Sequence, residues 1–413
     1  MNIFLLLIIT AVIMAYCIDN LAEYLNIRHL DPVLPREFSD VFDREQYARS
    51  QEYARLQSRL RLIQSSVNCL CLLLFLLCGG LAWLDQLIRT LALHPVWTGL
   101  IFFAVLGLAL DLLSLPFDIY STFVLEQSFG FNRSTPGLFV KDRLKGYLLA
   151  VLIGGPILAG VLLALSRFPE WGWLGAWLLI TLVMLLLHAV GPSLILPLFN
   201  TFTPLEQGSL RDKIEALARN NRFDVSGIFV MDGSKRSTRS NAFFTGLGRT
   251  KRIVLFDTLI KRHSVDELVA VLAHEIGHFQ HKHILKQLLL SSVKTGILLY
   301  LIAVLITFEP LFAAFDLPEP RVYTGLVFFA LLFTPVSLLL SLGLNVLSRK
   351  YEYQADAFAA RATRQAGALI AALKKLSADN LSNLTPHPFY VLLNYSHPPV
   401  LQRIRALQQA ENS

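Results

Sequence analysis

Charge is what this 413-residue sequence has little of: Asp, Glu, Lys and Arg make up only 16% of it. Soluble domains carry about a quarter. With 54% hydrophobic residues as well, a string of ordinary soluble domains is excluded. Cysteine is scarce too. Cys17, Cys69, Cys71 and Cys78 fall in apolar runs, and their spacing fits neither a zinc site nor a disulfide framework. They read as small buried hydrophobes. No internal repeat or low-complexity tract is visible, which argues against a secondary transporter built from repeats. The first apolar run has no basic lead and no small-residue cleavage site, so it reads as a retained helix rather than a secretory signal.

Apolar length is what the sequence has instead. Seven stretches approach or exceed the roughly 20 residues that cross a bilayer: 3–18, 63–83, 98–116, 146–165, 172–199, 285–308 and 322–347. The fifth is ambiguous, because Pro192 and Pro197 either lie within it or end it early. Basic residues sort cleanly between the connections. Arg28, Arg36, Arg44, Arg49, Arg55, Arg59 and Arg61 crowd the first, and Arg133, Lys141, Arg143 and Lys145 the third, over 117–145. The alternate loops carry Arg89, Arg167 and Arg321 alone. The positive-inside rule therefore predicts that the basic segments are cytoplasmic and that the amino terminus faces outward. The net charge of +7 is mostly this bias, and nothing calls for a nucleic acid.

Four regions follow: membrane region 1–199, cytoplasmic segment 200–284, a membrane pair 285–347, and cytoplasmic segment 348–413. Two crossings separate the cytoplasmic segments, so both lie on one face and can build one site.

The first of these segments ends in Val271-Leu-Ala-His-Glu-Ile-Gly-His278. Its two histidines stand at i and i+4, stacked on one helical face, where two imidazoles can hold a Zn²⁺ ion. Glu275 beside them can take a proton from a water at the metal. Ser264 and Glu267 form an S-x-x-E capping box, which predicts a helix beginning about ten residues upstream of the motif.

A catalytic zinc needs a third protein ligand. Ten residues after His274, where one zincin arrangement would place a histidine, stands Ile284. His281 and His283 sit too far along the axis to close a tetrahedron and are expected near the membrane surface. Glu352 and Asp356 are the better candidates, at i and i+4 in an Ala-rich run that favours helix. Glu352 would reach the metal, and Asp356 would hydrogen-bond a ligand histidine and fix its tautomer.

The pairing of His-Glu-Ile-Gly-His with Tyr-Glu-Tyr-Gln-Ala-Asp-Ala-Phe across seven spans resembles the type I CAAX prenyl protease family. Ser-Gln-Glu-Tyr-Ala (50–54), Phe-Gly-Phe-Asn (129–132), Lys141-Asp142, the run 240–246 and Ser-His-Pro-Pro-Val-Leu-Gln-Arg (396–403) resemble further segments of that family. The resemblance implies a mostly α, polytopic membrane protein. About seven helices would enclose a chamber, beside a cytoplasmic zincin-like metalloprotease domain with a small β element. It implies one Zn²⁺ per chain on His274, His278 and Glu352, with Glu275 as general base. It also implies that His397 stabilises the oxyanion, that Asn241 binds substrate backbone, and that Arg403 joins the network of carboxylates or meets a substrate terminus.

The implied function is hydrolysis of peptide bonds near the carboxy terminus of CAAX-type, prenylated proteins. A second diet is membrane-protein quality control without prenyl dependence. It gains weight if the chain is bacterial, as the lack of a KDEL-type terminus and the compact length suggest, since bacteria generally lack CAAX prenylation. The other function class is a transporter whose metal is structural. The partners are a peptide or lipidated protein and the lipid bilayer, and a monomer suffices.

Two short β-rich runs, Gly227–Met231 and Arg252–Phe256, predict a strand pair flanking Asn241. Gly277 inside the motif would let substrate or another helix come close. Asp111, His188 and Lys294 lie in or near spans and need shelter, with Asp111–Lys294 one possible pair. The polar run 234–240 is either an ordered substrate loop or a flexible one.

Overall fold

The computed structural model describes residues 2–245, 251–317 and 319–411. Seven of its helices are long and apolar enough to cross a membrane. Spans I to VII are Ile3–Arg28, Arg44–Leu77, Pro95–Ser128, Pro136–Arg167, Gly172–Phe199, His283–Leu305 and Val322–Thr363. Each packs on the next and the seventh on the first, closing a ring. The helices of this ring are thinly covered. In the apolar windows of spans II and III only 6% of residues are buried, and in span V none. A helix in a packed bundle buries one face. So little burial fits helices whose surface meets lipid rather than a protein core.

Span V runs through Pro192, breaks at Ile195 and resumes as one turn over Leu196–Phe199. Pro197 enters that turn near its start, where a missing N–H costs least. Span VII is the longest. Its helix continues for 42 residues, about 63 Å at 1.5 Å per residue, roughly twice a hydrocarbon core. Its far half carries Glu352 and Asp356 out of the apolar layer.

Two apolar cores close the ring at opposite ends. One gathers Phe102, Leu162, Tyr323 and Phe328 from the span ends on the poorly charged side with Leu81 and Phe312 from the connections there. The other lies on the basic side and packs a four-stranded sheet against the helix Val265–Gln280. The strands are β1 (Phe202–Pro204), β2 (Gly227–Met231), β3 (Ala242–Thr245) and β4 (Arg252–Phe256), in the order β1-β2-β4-β3. The two anticipated runs are both strands and pair in parallel, Gly227 opposite Arg252 through Met231 opposite Phe256. β3, with Asn241 just before it, pairs antiparallel to β4, and among the described residues no strand lies on its other side. Gly246 of the motif 240–246 lies outside the described residues.

Candidate active site

The motif helix begins where the capping box puts it. Ser264 Oγ accepts from Glu267 N, and Glu267 Oε2 accepts from Ser264 N. Leu268, Leu272, Ala273 and Ile276 then face the core, which turns His274 and His278 toward span VII. Close approach of the two helices depends on Gly277. A Cβ there would stand 3.0 Å from Ala355 Cα and 3.1 Å from its carbonyl oxygen. Of the two readings of this glycine, approach of a helix is the one found.

Three donors converge in the gap. His274 Nε2 lies 3.2 Å from His278 Nε2, Glu352 Oε1 lies 3.2 Å from His278 Nε2, and Glu352 Oε2 lies 3.5 Å from His274 Nε2. The ligand atoms of the three residues all fall within 4.8 Å of one another. His281 and His283 stay outside this group.

Hydrogen bonds on the far side of each ring decide what faces inward. His274 Nδ1 is 2.8 Å from Asp356 Oδ1, and Asp356 is held as a carboxylate by Arg403, whose Nε and Nη2 reach it at 2.8 and 2.6 Å. The Nδ1 proton of His274 therefore points to Asp356, and its Nε2 lone pair points into the gap. His278 is set by a longer relay. Gln354 Oε1 accepts from His283 Nε2 at 2.9 Å, so His283 Nδ1 carries a lone pair. That nitrogen is 3.1 Å from His278 Nδ1, which must donate, and the Nε2 lone pair of His278 also faces the gap.

Two lone pairs thus meet a carboxylate whose buried Oε2 has no hydrogen-bond partner. Among the described residues no donor satisfies all three acceptors; a cation does. With no cation, burial disfavours charge on His274, but Asp356 and Glu352 outweigh it and raise its pKa to about 9. A metal takes the place of that proton.

The remaining predicted residues assemble around this point. Glu275 is half-buried, and among the described residues its carboxylate has no hydrogen-bond or ion-pair partner. Burial pushes its pKa up, and the neighbouring histidines partly offset this. His397 Nε2 is 3.3 Å from Glu352 Oε1 although the ring is 65% exposed. Ser396 Oγ lies 3.0 Å from His397 Nδ1; with the hydroxyl donating there, the ring proton sits on Nε2 and faces Glu352 Oε1. Arg349 fixes the chain before it by donating to the carbonyls of Val391 and Tyr395. Arg403 Nη1 lies 3.5 Å from Glu352 Oε2; of its two suggested roles, contact with the carboxylate network is the one observed. Asn241 is exposed at the start of β3, where its carbonyl accepts from Phe256 N.

Sequence reasoning missed the role of His283. It is 1% exposed and its ring stacks on Tyr351 at 4.0 Å, so it is a buried support of His278 at the head of the sixth span. Gln354, between the two carboxylates in sequence, was the available signal. The polar run 234–240 is ordered. Ser234 N donates to Asp257, and Arg236 pairs with Asp142 at 2.7 and 3.0 Å. Arg239 pairs with Glu126 and lies over the Phe131 ring at 4.6 Å. The segments 50–54, 129–132 and 141–142 therefore meet this run: Tyr53 also packs on Phe129 and Phe131. Asp111 pairs with Arg143 at 2.6 Å and with Tyr147, not with Lys294.

Comparison with known proteins finds relatives along nearly the whole chain. Residues 23–201 match the family model described as CAAX prenyl protease N-terminal, five membrane helices, and residues 204–411 match peptidase family M48. A CAAX prenyl protease 1 homolog of Oryza sativa is 37% identical, with 92% of this chain and 91% of that protein aligned. CAAX prenyl protease 1 of Saccharomyces cerevisiae is 35% identical over 91% of this chain and 88% of its own. The crystal structure of S. mikatae Ste24p superposes with a TM-score of 0.91 at 35% identity, covering 98% of both chains.

Proposed function

The chain belongs to the CAAX prenyl protease 1 branch of peptidase family M48 and is a multi-pass membrane metalloprotease; from that premise we propose that it is a zinc endopeptidase cutting near the carboxy terminus of prenylated, CAAX-type proteins. The observation that carries the zinc is the convergence of two imidazole lone pairs and an orphaned carboxylate oxygen. Two nitrogens and one oxygen with room for a fourth partner are the donor set of a catalytic zinc site. When bound, zinc supplies Lewis-acid polarisation of the scissile carbonyl and acidifies water.

The protein's own residues do the rest. Glu275, unpaired and raised in pKa, takes the proton of the attacking water and passes it to the leaving amine. His397 donates from Nε2 to the oxygen that becomes negative. Asn241 and the open edge of β3 hold an extended peptide by backbone hydrogen bonds. Asp356 and Arg403 orient His274 and keep the site's charge in place. By the placement of basic residues, the segments 200–284 and 348–413 face the cytoplasm, and in a bacterium the membrane is the inner one.

Matched farnesylated and unmodified CAAX peptides, digested by the purified protein and analysed by mass spectrometry, test the substrate. Cleavage of the farnesylated peptide at a rate well above the unmodified one is expected. Equal cleavage of both would replace this substrate with general turnover of membrane proteins.

A further inference from the structure

A polar cavity of about 540 Å³ opens beside the start of β3. Its walls include Ser240, Asn241, Arg239, Arg61, Gln57 and Asn380. One feature says what it could take: two guanidinium groups share the wall. Arg61 gives Nε and Nη2 to Glu23, and Arg239 gives Nη2 to Glu126 and Tyr53. In each case the carboxylate balances the charge without using every N–H, and Arg239 Nε is buried without a partner.

The direction of β3 says what the cavity would receive. The strand runs from Ala242 to Thr245, away from the cavity, and among the described residues no strand pairs with its outer edge. A peptide adding to that edge in the antiparallel sense, the more stable pairing per residue, runs the opposite way. Its carboxy-terminal residues then arrive at Asn241 and enter the space walled by Ser240, Arg239 and Arg61. An extended tripeptide covers about 10 Å, a reach that suits a short tail beyond the cut bond.

We propose that this cavity is a subsite for the free α-carboxylate of the substrate peptide, held by the guanidinium N–H groups of Arg239 and Arg61 that their own carboxylate partners leave unused. The subsite measures the cut from the end of the chain. This rests on the endopeptidase reading above, and it adds a reason why such an enzyme would act close to a terminus. A carboxylate replaced by an amide loses the charge-assisted bonds and leaves the arginines facing a neutral group.

The test uses the purified full-length protein and three peptides of one sequence: the free acid, the carboxy-terminal amide, and the acid extended by four Gly/Ser residues. In the parent, amidation and extension should each lower kcat/KM about tenfold or more, mainly through KM. Arg239→Gln should collapse the acid-to-amide ratio toward one, and Arg61→Gln should reduce it partway. Fluorescence anisotropy of the same peptides on Glu275→Gln protein gives the comparison without catalysis. No cleavage of any peptide, with the acid still bound about tenfold tighter than the amide, would count against the peptidase reading and support the pocket. Equal affinities and equal cleavage of acid and amide by the parent would overturn the pocket.

Discussion

His278 and His283 meet through their Nδ1 atoms at 3.1 Å, and the opposite nitrogen of His283 donates to Gln354. The relay makes a glutamine on span VII the determinant of which nitrogen of His278 carries its lone pair. His283→Phe keeps the stack on Tyr351 but removes the acceptor. It is expected to weaken zinc binding about 10–100-fold, measured by titration against a chelating dye. Unchanged affinity would show that the relay is incidental.

Asp356 bridges His274 and Arg403, and the Arg403 side chain is only 11% exposed. Removing the carboxylate alone strands a buried cation. Asp356→Ala should cost about 3–5 kcal/mol of stability. Adding Arg403→Ala should recover part of that loss, so a double-mutant cycle will be non-additive. Additive losses by thermal unfolding in detergent would contradict the pairing.

Gly277→Ala improves helix propensity yet puts a Cβ 3.0 Å from the backbone of Ala355. The two helices that carry the ligands must then part by a few tenths of an ångström. Since a 1 Å misplacement can cost about 10²-fold, turnover should fall about tenfold while the fold is kept. Normal kcat would mean that span VII yields without disturbing the site.

His263 lies between Glu267 and Asp379, but neither ring nitrogen has a hydrogen-bond partner and the side chain is fully buried. Burial therefore outweighs the two carboxylates and holds its pKa below 6.5. In the window between the folded pKa and 6.5 the unfolded chain binds the extra proton. This contribution to stability is present above 6.5 and is lost as pH falls through the window. His263→Asn should flatten the fall in Tm between about pH 7 and pH 5. An identical slope in the variant would assign the effect elsewhere.

The parts legible in the sequence were those written in local patterns. Hydropathy runs gave the seven spans, a capping box gave the start of the motif helix, and i, i+4 spacing paired His274 with His278 and Glu352 with Asp356. Other features depend on partners far along the chain. β1 and β3 are three and four residues long and exist because β2 and β4 offer edges to pair with. The order of the 234–240 run rests on Asp142, Asn200 and Glu126, none within thirty residues of it. The support that His283 gives to His278 was not legible either, because the residue directly precedes an apolar span and reads as part of its border. The turn at Lys282, with φ of +55°, folds it back against His278 instead.

The most direct measurement is made on Glu275→Gln, purified in detergent, with zinc counted by mass spectrometry and cleavage followed on a farnesylated CAAX peptide. The substitution keeps the side chain's shape and removes its capacity to take a proton. One zinc per chain with cleavage reduced by about 10²–10⁴-fold is the predicted result. Cleavage at the parent rate, or loss of the metal along with the activity, would contradict the assignment of Glu275 as the base of a zinc peptidase.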